Sequence, residues 1–294
     1  MHGSTERQTA EARAERRQRL AGVAFMMASL LCFTCIDTSA KWLTRDLPVL
    51  EITFFRYLVA FLVAAAAFNP LRSPAAWRTS RPLPHFIRGF LLLIVTVLNF
   101  VALKTLQLAE TMSIAFSVPF MVAILSVPLL GETVGRQRWG AIVLGFVGVL
   151  IVARPTPAHF DPAVGWAFAA AACNALFVIT TRRMSDTESV PGMLLSSTLL
   201  PVLMLSPFMP DVWVMPGTPA QWFAIAVAGT CGALGHFLFA HALARAPASM
   251  LSPFLYVQIV WMTLSGWLVF GDVPGGWTIA GATVVITSGL WLVH

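Results

Sequence analysis

Residues 129–148 read LLGETVGRQRWGAIVLGFVG, and residues 269–289 read VFGDVPGGWTIAGATVVITSG. Each stretch has an apolar run, a Gly followed by an acid, a short polar break, a Trp and a second apolar run. Gly140 and Gly148 stand eight apart, and so do Gly281 and Gly289. Apolar runs with so little punctuation do not describe a water-soluble chain. Of the 294 residues 57% are hydrophobic and only 11% charged, at a mean hydropathy of +0.78, whereas soluble domains carry about 25% charged residues. A hydrocarbon core about 30 Å thick needs about 20 apolar residues per helix. Ten windows of that kind occur: 20–44, 48–68, 85–106, 109–130, 137–153, 164–181, 190–209, 220–243, 247–270 and 275–293. Strands of a membrane barrel alternate apolar and polar residues, and these runs are apolar all round. The predicted fold class is all-α, a polytopic membrane protein of ten transmembrane helices.

The charges orient the chain. Fourteen of the 19 Lys and Arg fall in the amino-terminal tail and alternate loops: Arg7, Arg13, Arg16, Arg17, Arg19, Arg72, Arg78, Arg81, Arg88, Arg136, Arg138, Arg182, Arg183 and Arg245. The opposite loops hold Arg45, Lys104 and Arg154, while Lys41 and Arg56 lie in or near spans. Loops rich in Lys and Arg stay cytoplasmic, so both termini are expected inside a bacterial inner membrane. The net charge of +6 therefore belongs to the membrane surface, not to a nucleic-acid site. Arg16, Arg17 and Arg19 precede the first run as they would a cleaved signal peptide. Nine further spans follow, however, and the first run takes part in an internal repeat, which assigns it to the fold.

Shifted by 143, residues 22–62 align with 165–205 without a gap: Gly22 meets Gly165, Phe25 meets Phe168, Ile36 meets Ile179 and Pro48 meets Pro191. Phe100 with Phe237, Leu106 with Leu243, Ala109 with Ala246 and the Gly–acid pairs continue the matches in order. The expected organisation is a basic tail, 1–19, followed by two five-helix repeats, 20–154 and 160–293. Because five is odd, the second repeat enters the membrane from the other side. Such inverted repeats recur in secondary transporters, with the substrate site near the midplane between them.

Ten short spans in two repeats, the Gly–acid step before a span that opens on Trp, and an Arg early in the second span (LPVLEITFFRYLVAF, residues 47–61) together resemble the EamA-type members of the drug/metabolite transporter superfamily. The resemblance covers nearly the whole chain after residue 20. It implies a basket of ten helices around a central cavity and export of small metabolites such as amino acids; relatives also move riboflavin, S-adenosylmethionine and toxic cations. The halves differ, since Arg56 aligns with Leu199 and Asp37 with Thr180, so polar chemistry concentrates in the first half.

Asp37, Lys41 and Arg56 are the first candidates for substrate binding. Asp37 and Lys41 are four apart, so they share a helix face and can pair. At 1.5 Å per residue Asp37 and Arg56 each lie about 12 Å below the outer ends of consecutive spans, a placement that invites an ion pair. Charge at membrane depth is costly and faces a cavity or a partner; a structural pair locking two helices is the alternative, with Lys41 snorkelling to the interface. Ser117, Tyr256, Gln258 and Asn99 are the neutral candidates, with Pro119 and Asn174 beside them; each is equally readable as interhelical glue. Pro119 frees a backbone carbonyl. Phe116, Phe120 and Trp261 are candidate aromatic walls.

His236 and His241 are five apart, the wrong spacing for two metal ligands on one helix face, so no metal is expected. Cys32-x-x-Cys35 lacks a second pair and reads as small buried apolar side chains. Gly131–Glu132 and Gly271–Asp272 read as helix ends, and the glycines of the fifth and eighth spans as points of close helix approach. No phosphate-binding GxxxxGK[ST] loop occurs, so no nucleotide cofactor is expected, and protons or substrate gradients remain as energy sources. The scattered acids argue against a membrane enzyme. The expected function is a non-ATP carrier that exports or exchanges a small metabolite, most simply an amino acid, by alternating access. Uptake of a vitamin-like or cofactor-like solute is the second reading; a channel or embedded enzyme is the third.

Overall fold

The computed structural model describes residues 2–69, 71, 73–77, 79, 81–130, 135–153, 161–184, 187–246, 251 and 254–293. No strand occurs among them. The helices are α1 (His2–Leu43), α2 (Val49–Ala67), α3 (Pro82–Leu103), α4 (Leu108–Ala115), α5 (Val118–Leu130), α6 (Arg136–Ala153), α7 (Pro162–Met184), α8 (Val190–Leu205), the short α9 (Met209–Val212), α10 (Pro219–Leu243), α11 (Val257–Ser265) and α12 (Gly276–Val293). A π turn, Gly266–Phe270, extends α11.

Local chemistry sets the boundaries. Thr218 accepts from Gln221 N at 3.3 Å while Gln221 Oε1 accepts from Thr218 N at 3.2 Å. This reciprocal cap, with Pro219 as the first helical residue, starts α10. Glu110 Oε2 accepts from Gln107 N at 3.1 Å and opens α4 in the same way. Pro82 opens α3. The π turn ends at Gly271, whose φ of 72° lies in the left-handed region that Gly enters without strain.

Among the described residues seven helices are long and apolar enough to cross a membrane: Arg16–Leu43, Val49–Ala67, Pro82–Leu103, Leu108–Leu125, Pro162–Met184, Val190–Val212 and Pro219–Leu243. Three shorter apolar helices, Ile142–Val152, Val257–Phe270 and Gly276–Ser288, occupy the fifth, ninth and tenth predicted windows. α1 runs without a break from His2 into the first apolar window.

α1 packs along α10, and α3 packs along α7. α2 lies against α10 and α8, and α8 lies against α3. α6 packs along α12, while α4 meets α11. Small residues permit these approaches, as they must where lipid gives no hydrophobic reward for helix association. A Cβ on Gly281 would sit 2.6 Å from Gly148 O, and one on Gly148 would sit 2.9 Å from Gly281 O. The two halves of the sequence's repeated stretch therefore cross backbone to backbone. Gly140 faces Trp291 at the other end of the same crossing, so α6 and α12 run antiparallel. On α10, Gly229 fits against Val59 and the Arg56 carbonyl, and Gly235 against Phe33 and Cys32. These are the close approaches expected of the glycines. Gly131 and Glu132 lie outside the described residues.

Candidate functional site

Four helices bring the first polar group together. Asp37 of α1 accepts a hydrogen bond from Asn99 Nδ2 of α3 at 3.0 Å. Arg56 enters from α2 and is only 7% exposed. Its Nη2 lies 3.9 Å from where a Cβ on Gly232 of α10 would stand, and Ile36 of α1 lies at the same distance from that point. Arg56 Cζ sits 4.6 Å from the Tyr57 ring centroid. Arg56 Nε and Nη1 are buried and have no hydrogen-bond partner among the described residues. A buried N–H without an acceptor is costly, and a buried guanidinium without one more so.

The expected ion pair between Asp37 and Arg56 is absent among the described residues: no contact within 4 Å joins them, and Asn99 supplies the partner of Asp37 instead. The expected pairing of Lys41 with Asp37 fails for a different reason. Lys41 Nζ reaches Asp272 Oδ2 at 2.6 Å, with the side chains 12% and 25% exposed. Lys41 also lies 4.8 Å from the Phe270 ring centroid, which Arg45 covers at 5.2 Å. Thr38 and Ser265 share a 2.7 Å hydrogen bond one turn below. This column ties α1 to the end of α11. Asp272 was read from sequence as a helix-end residue; its neighbour Gly271 has that role, and Asp272 itself is the counter-ion of Lys41.

A second polar locus forms where two helices break. α4 ends at Ala115 and α5 begins at Val118, with Ser117 N bonded back to Ile114 O at 2.9 Å. Pro119, in the first turn of α5, lacks the N–H that would continue α4 past Ala115. Tyr256 occupies the turn before α11. The two breaks face each other, since the Phe116 and Tyr256 rings are 5.0 Å apart. Ser117 is 2% exposed and its Oγ has no partner among the described residues. Phe120 packs under Gly145, where no Cβ would fit. Trp261 joins the apolar cluster around Met26 and Leu30, away from these rings. Gln258 and Asn174 are half-buried. The structure therefore joins Asp37, Asn99 and Arg56, pairs Ser117 with Tyr256 through Phe116, and sets Lys41 apart.

His236 packs edge-on against Phe33 at 5.2 Å, and no group of His, Cys, Asp and Glu among the described residues forms a metal site. Cys231 of α10 comes into contact with Cys32 and Cys35, a third thiol that the local spacing did not reveal. All four cysteines are free.

The EamA-like transporter family profile matches twice, over residues 20–154 and 161–293. The chain belongs to the EamA-like transporter family. It is 27% identical over 273 residues to the S-adenosylmethionine uptake transporter of Rickettsia bellii, covering 93% of each chain. It is 29% identical over 277 residues to the riboflavin transporter of Vibrio cholerae, covering 92% of this chain and 91% of that one. The pseudopaline exporter of Pseudomonas aeruginosa is 24% identical over 271 residues, 91% of this chain and 94% of the other. A solved structure described as "Crystal structure of protein" superposes with a TM-score of 0.60 at 21% identity, over 90% of this chain and 95% of that one. The all-helical membrane class and the family expected from the sequence stand, and the protein is a membrane transporter. In this EamA-like protein sequence reading also missed the Lys41–Asp272 pair, which joins residues far apart in the chain and left no local signal.

Proposed function

We propose that this EamA-like protein is a secondary carrier with ten spans in two inverted five-helix repeats, and that it moves a small amino acid or a related metabolite outward by alternating access. The reading of inverted repeats is supported by the way the helices pack. Number the spans one to ten, with α4 and α5 as the fourth and α10 as the eighth. Each contact between spans one and eight, two and eight, or four and six then has a counterpart when the halves are exchanged: three and six, three and seven, one and nine. The pairs two–seven, four–nine and five–ten exchange into themselves. The antiparallel crossing of α6 and α12 is what an inverted second half requires.

The observation that carries the substrate reading is the Arg56 guanidinium, buried beside Asp37 with Nε and Nη1 unmet. A carboxylate is the natural acceptor for guanidinium N–H groups, and the free capacity of Asp37 suits an ammonium group. Together they fit an amino-acid head, with Asn99 orienting Asp37 and with Ser117, Tyr256 and Gln258 further along the path. Uptake is the second reading, favoured by the relatives named for S-adenosylmethionine and riboflavin. S-adenosylmethionine is itself an α-amino acid and suits the same head; riboflavin has neither charge. Protons are a candidate coupling ion, through Asp37.

The test is transport and binding by Arg56→Leu, which copies Leu199 of the other half. Removing an intramembrane charge lowers the insertion cost by about 2.5–3.5 kcal/mol, so the variant is expected in the membrane at normal yield but without transport. Full transport by Arg56→Leu would make Arg56 structural and overturn the site. Counterflow in liposomes distinguishes a carrier, which shows trans-stimulation, from a channel.

A further inference from the structure

A cleft of about 720 Å³ opens between α1 and the end of α10, lined by Arg17, Gln18, Ala21, His241, Ala244 and Arg245. It lies far along α1 from Asp37 and holds none of the candidate substrate residues. We propose that it binds the phosphate headgroup of an anionic membrane lipid. The proposal rests on the reading that places this end of the molecule at the cytoplasmic leaflet.

The lining contains two guanidiniums, an imidazole and an amide, and no carboxylate. Arg245 is fixed in place. Its Nη1 donates to His241 O at 3.0 Å and meets His241 Nδ1 at 3.1 Å, and its guanidinium covers the Phe25 ring at 4.6 Å. His241 is held in turn by the Phe237 ring at 4.2 Å. The hydrogen bonds of Arg245 among the described residues all run through Nη1, which leaves the rest of its planar fork for a ligand. Guanidinium forks match phosphate oxygens in pairs. Arg17 brings the second cation from α1 and is exposed. The two helices pack closely here, because a Cβ on Gly22 would already meet Ala246 Cβ at 2.8 Å and Ala242 O at 3.3 Å. The ligand thus meets two cations held on closely packed helices.

What separates a lipid from a free anion is the apolar surface on the banks. Leu20, Leu243 and Phe237 are 57%, 44% and 40% exposed on the two helices that form the cleft. A headgroup in the cleft would lay its acyl chains along these side chains, whereas inorganic phosphate gains nothing from them. Basic pockets between helices at the cytoplasmic side suit anionic headgroups on electrostatic grounds as well.

The experiment compares the full-length protein and Arg17→Gln with Arg245→Gln, in phosphatidylcholine nanodiscs with and without phosphatidylglycerol, by thermal unfolding and by native mass spectrometry of retained lipid. The wild type is expected to retain phosphatidylglycerol and to unfold at higher temperature with it. The double variant should unfold as the wild type does in phosphatidylcholine alone and bind phosphatidylglycerol about thirtyfold more weakly, as the loss of two surface cations implies. If Arg245→Gln fails to fold, Arg17→Gln alone is read, with about fivefold weaker binding expected. Equal retention of both lipids, or unaltered retention by the variants, overturns the proposal. Stabilisation by millimolar inorganic phosphate equal to that by phosphatidylglycerol would make the cleft a free-anion site and overturn the lipid assignment. Neither readout uses transport, so failure here leaves the carrier reading standing, and orientation is checked separately by labelling.

Discussion

Arg56 and Ser117 are among the residues whose buried side-chain polar atoms have no hydrogen-bond partner among the described residues. At Ser117 the consequence is testable without a large side chain, and the 2% exposure of the site leaves no room for one. Ser117→Ala removes an unpartnered hydroxyl, so stability should hold or rise by about 1 kcal/mol. If the hydroxyl meets substrate, affinity should fall about two- to tenfold, the worth of one hydrogen bond. Thermal unfolding and substrate binding on one sample check both halves, and a stability loss with unchanged affinity would return Ser117 to packing. Lys41 and Asp272 make the opposite case, a satisfied pair at partial exposure. Asp272→Asn should cost about 1–3 kcal/mol, between the values for exposed and buried pairs. Lys41→Met combined with Asp272→Leu should recover most of that loss, since removing both partners leaves no uncompensated charge. A double-mutant cycle on unfolding midpoints measures the coupling; additive losses would show that the pair contributes nothing.

At the level of helices, the glycines fall into two groups that sequence treats alike. Gly148 and Gly281 face each other's carbonyls, while an added Cβ at Gly165 meets nothing within 4 Å. Gly148→Val should therefore separate α6 from α12 and cost about 1–3 kcal/mol through overpacking. Gly165→Ala should stabilise α7 by about 0.5–1 kcal/mol, because Ala loses less backbone freedom in a helix. Thermal denaturation in one detergent decides the contrast, and equal effects at the two positions would remove the crossing from the fold's determinants. The same scale explains the breaks in the fourth and ninth spans. Pro119 was legible as a freed carbonyl, but that the break would lie against Tyr256 was not, because the pairing of α4 with α11 is a contact between residues about 140 apart.

For the whole molecule, ties sit at both ends of the bundle. At one end Lys41 meets Asp272, and Gln221 Nε2 donates to Asp46 Oδ2 at 3.2 Å. At the other His85 Nε2 lies 3.1 Å from Glu188 Oε2, and Arg88 of α3 donates to Thr181 of α7 at 2.9 Å and to the Met193 carbonyl of α8 at the same distance. Alternating access requires each set to open in turn. On the proposed orientation, which follows the arginine asymmetry, the His85 end faces the cytoplasm. In a variant lacking the four native cysteines, a cysteine at Ser73 should resist an impermeant thiol reagent in intact cells, and one at Gly217 should react. Outward labelling at Ser73 would invert the topology and with it the leaflet of the Arg245 cleft.

Composition and apolar runs determined the membrane class and the approximate positions of the helices, and aligning the chain with itself determined the duplicated stretch, because each depends on residues near one another in the chain or on a visible repeat; the family was legible only as a resemblance in motifs. Asp37, Arg56 and Asn99 were singled out for the same reason: polar side chains are conspicuous in apolar runs. Their partners were decided only by the tertiary structure. Depth along a helix can be counted from sequence, but rotation about its axis and the identity of its neighbour cannot. Asp37 and Arg56 do share a neighbourhood, yet the side chain that turns toward Asp37 belongs to α3. Lys41 points to a helix more than 200 residues away rather than to the acid one turn before it, since helix packing, not sequence spacing, sets which charges can touch.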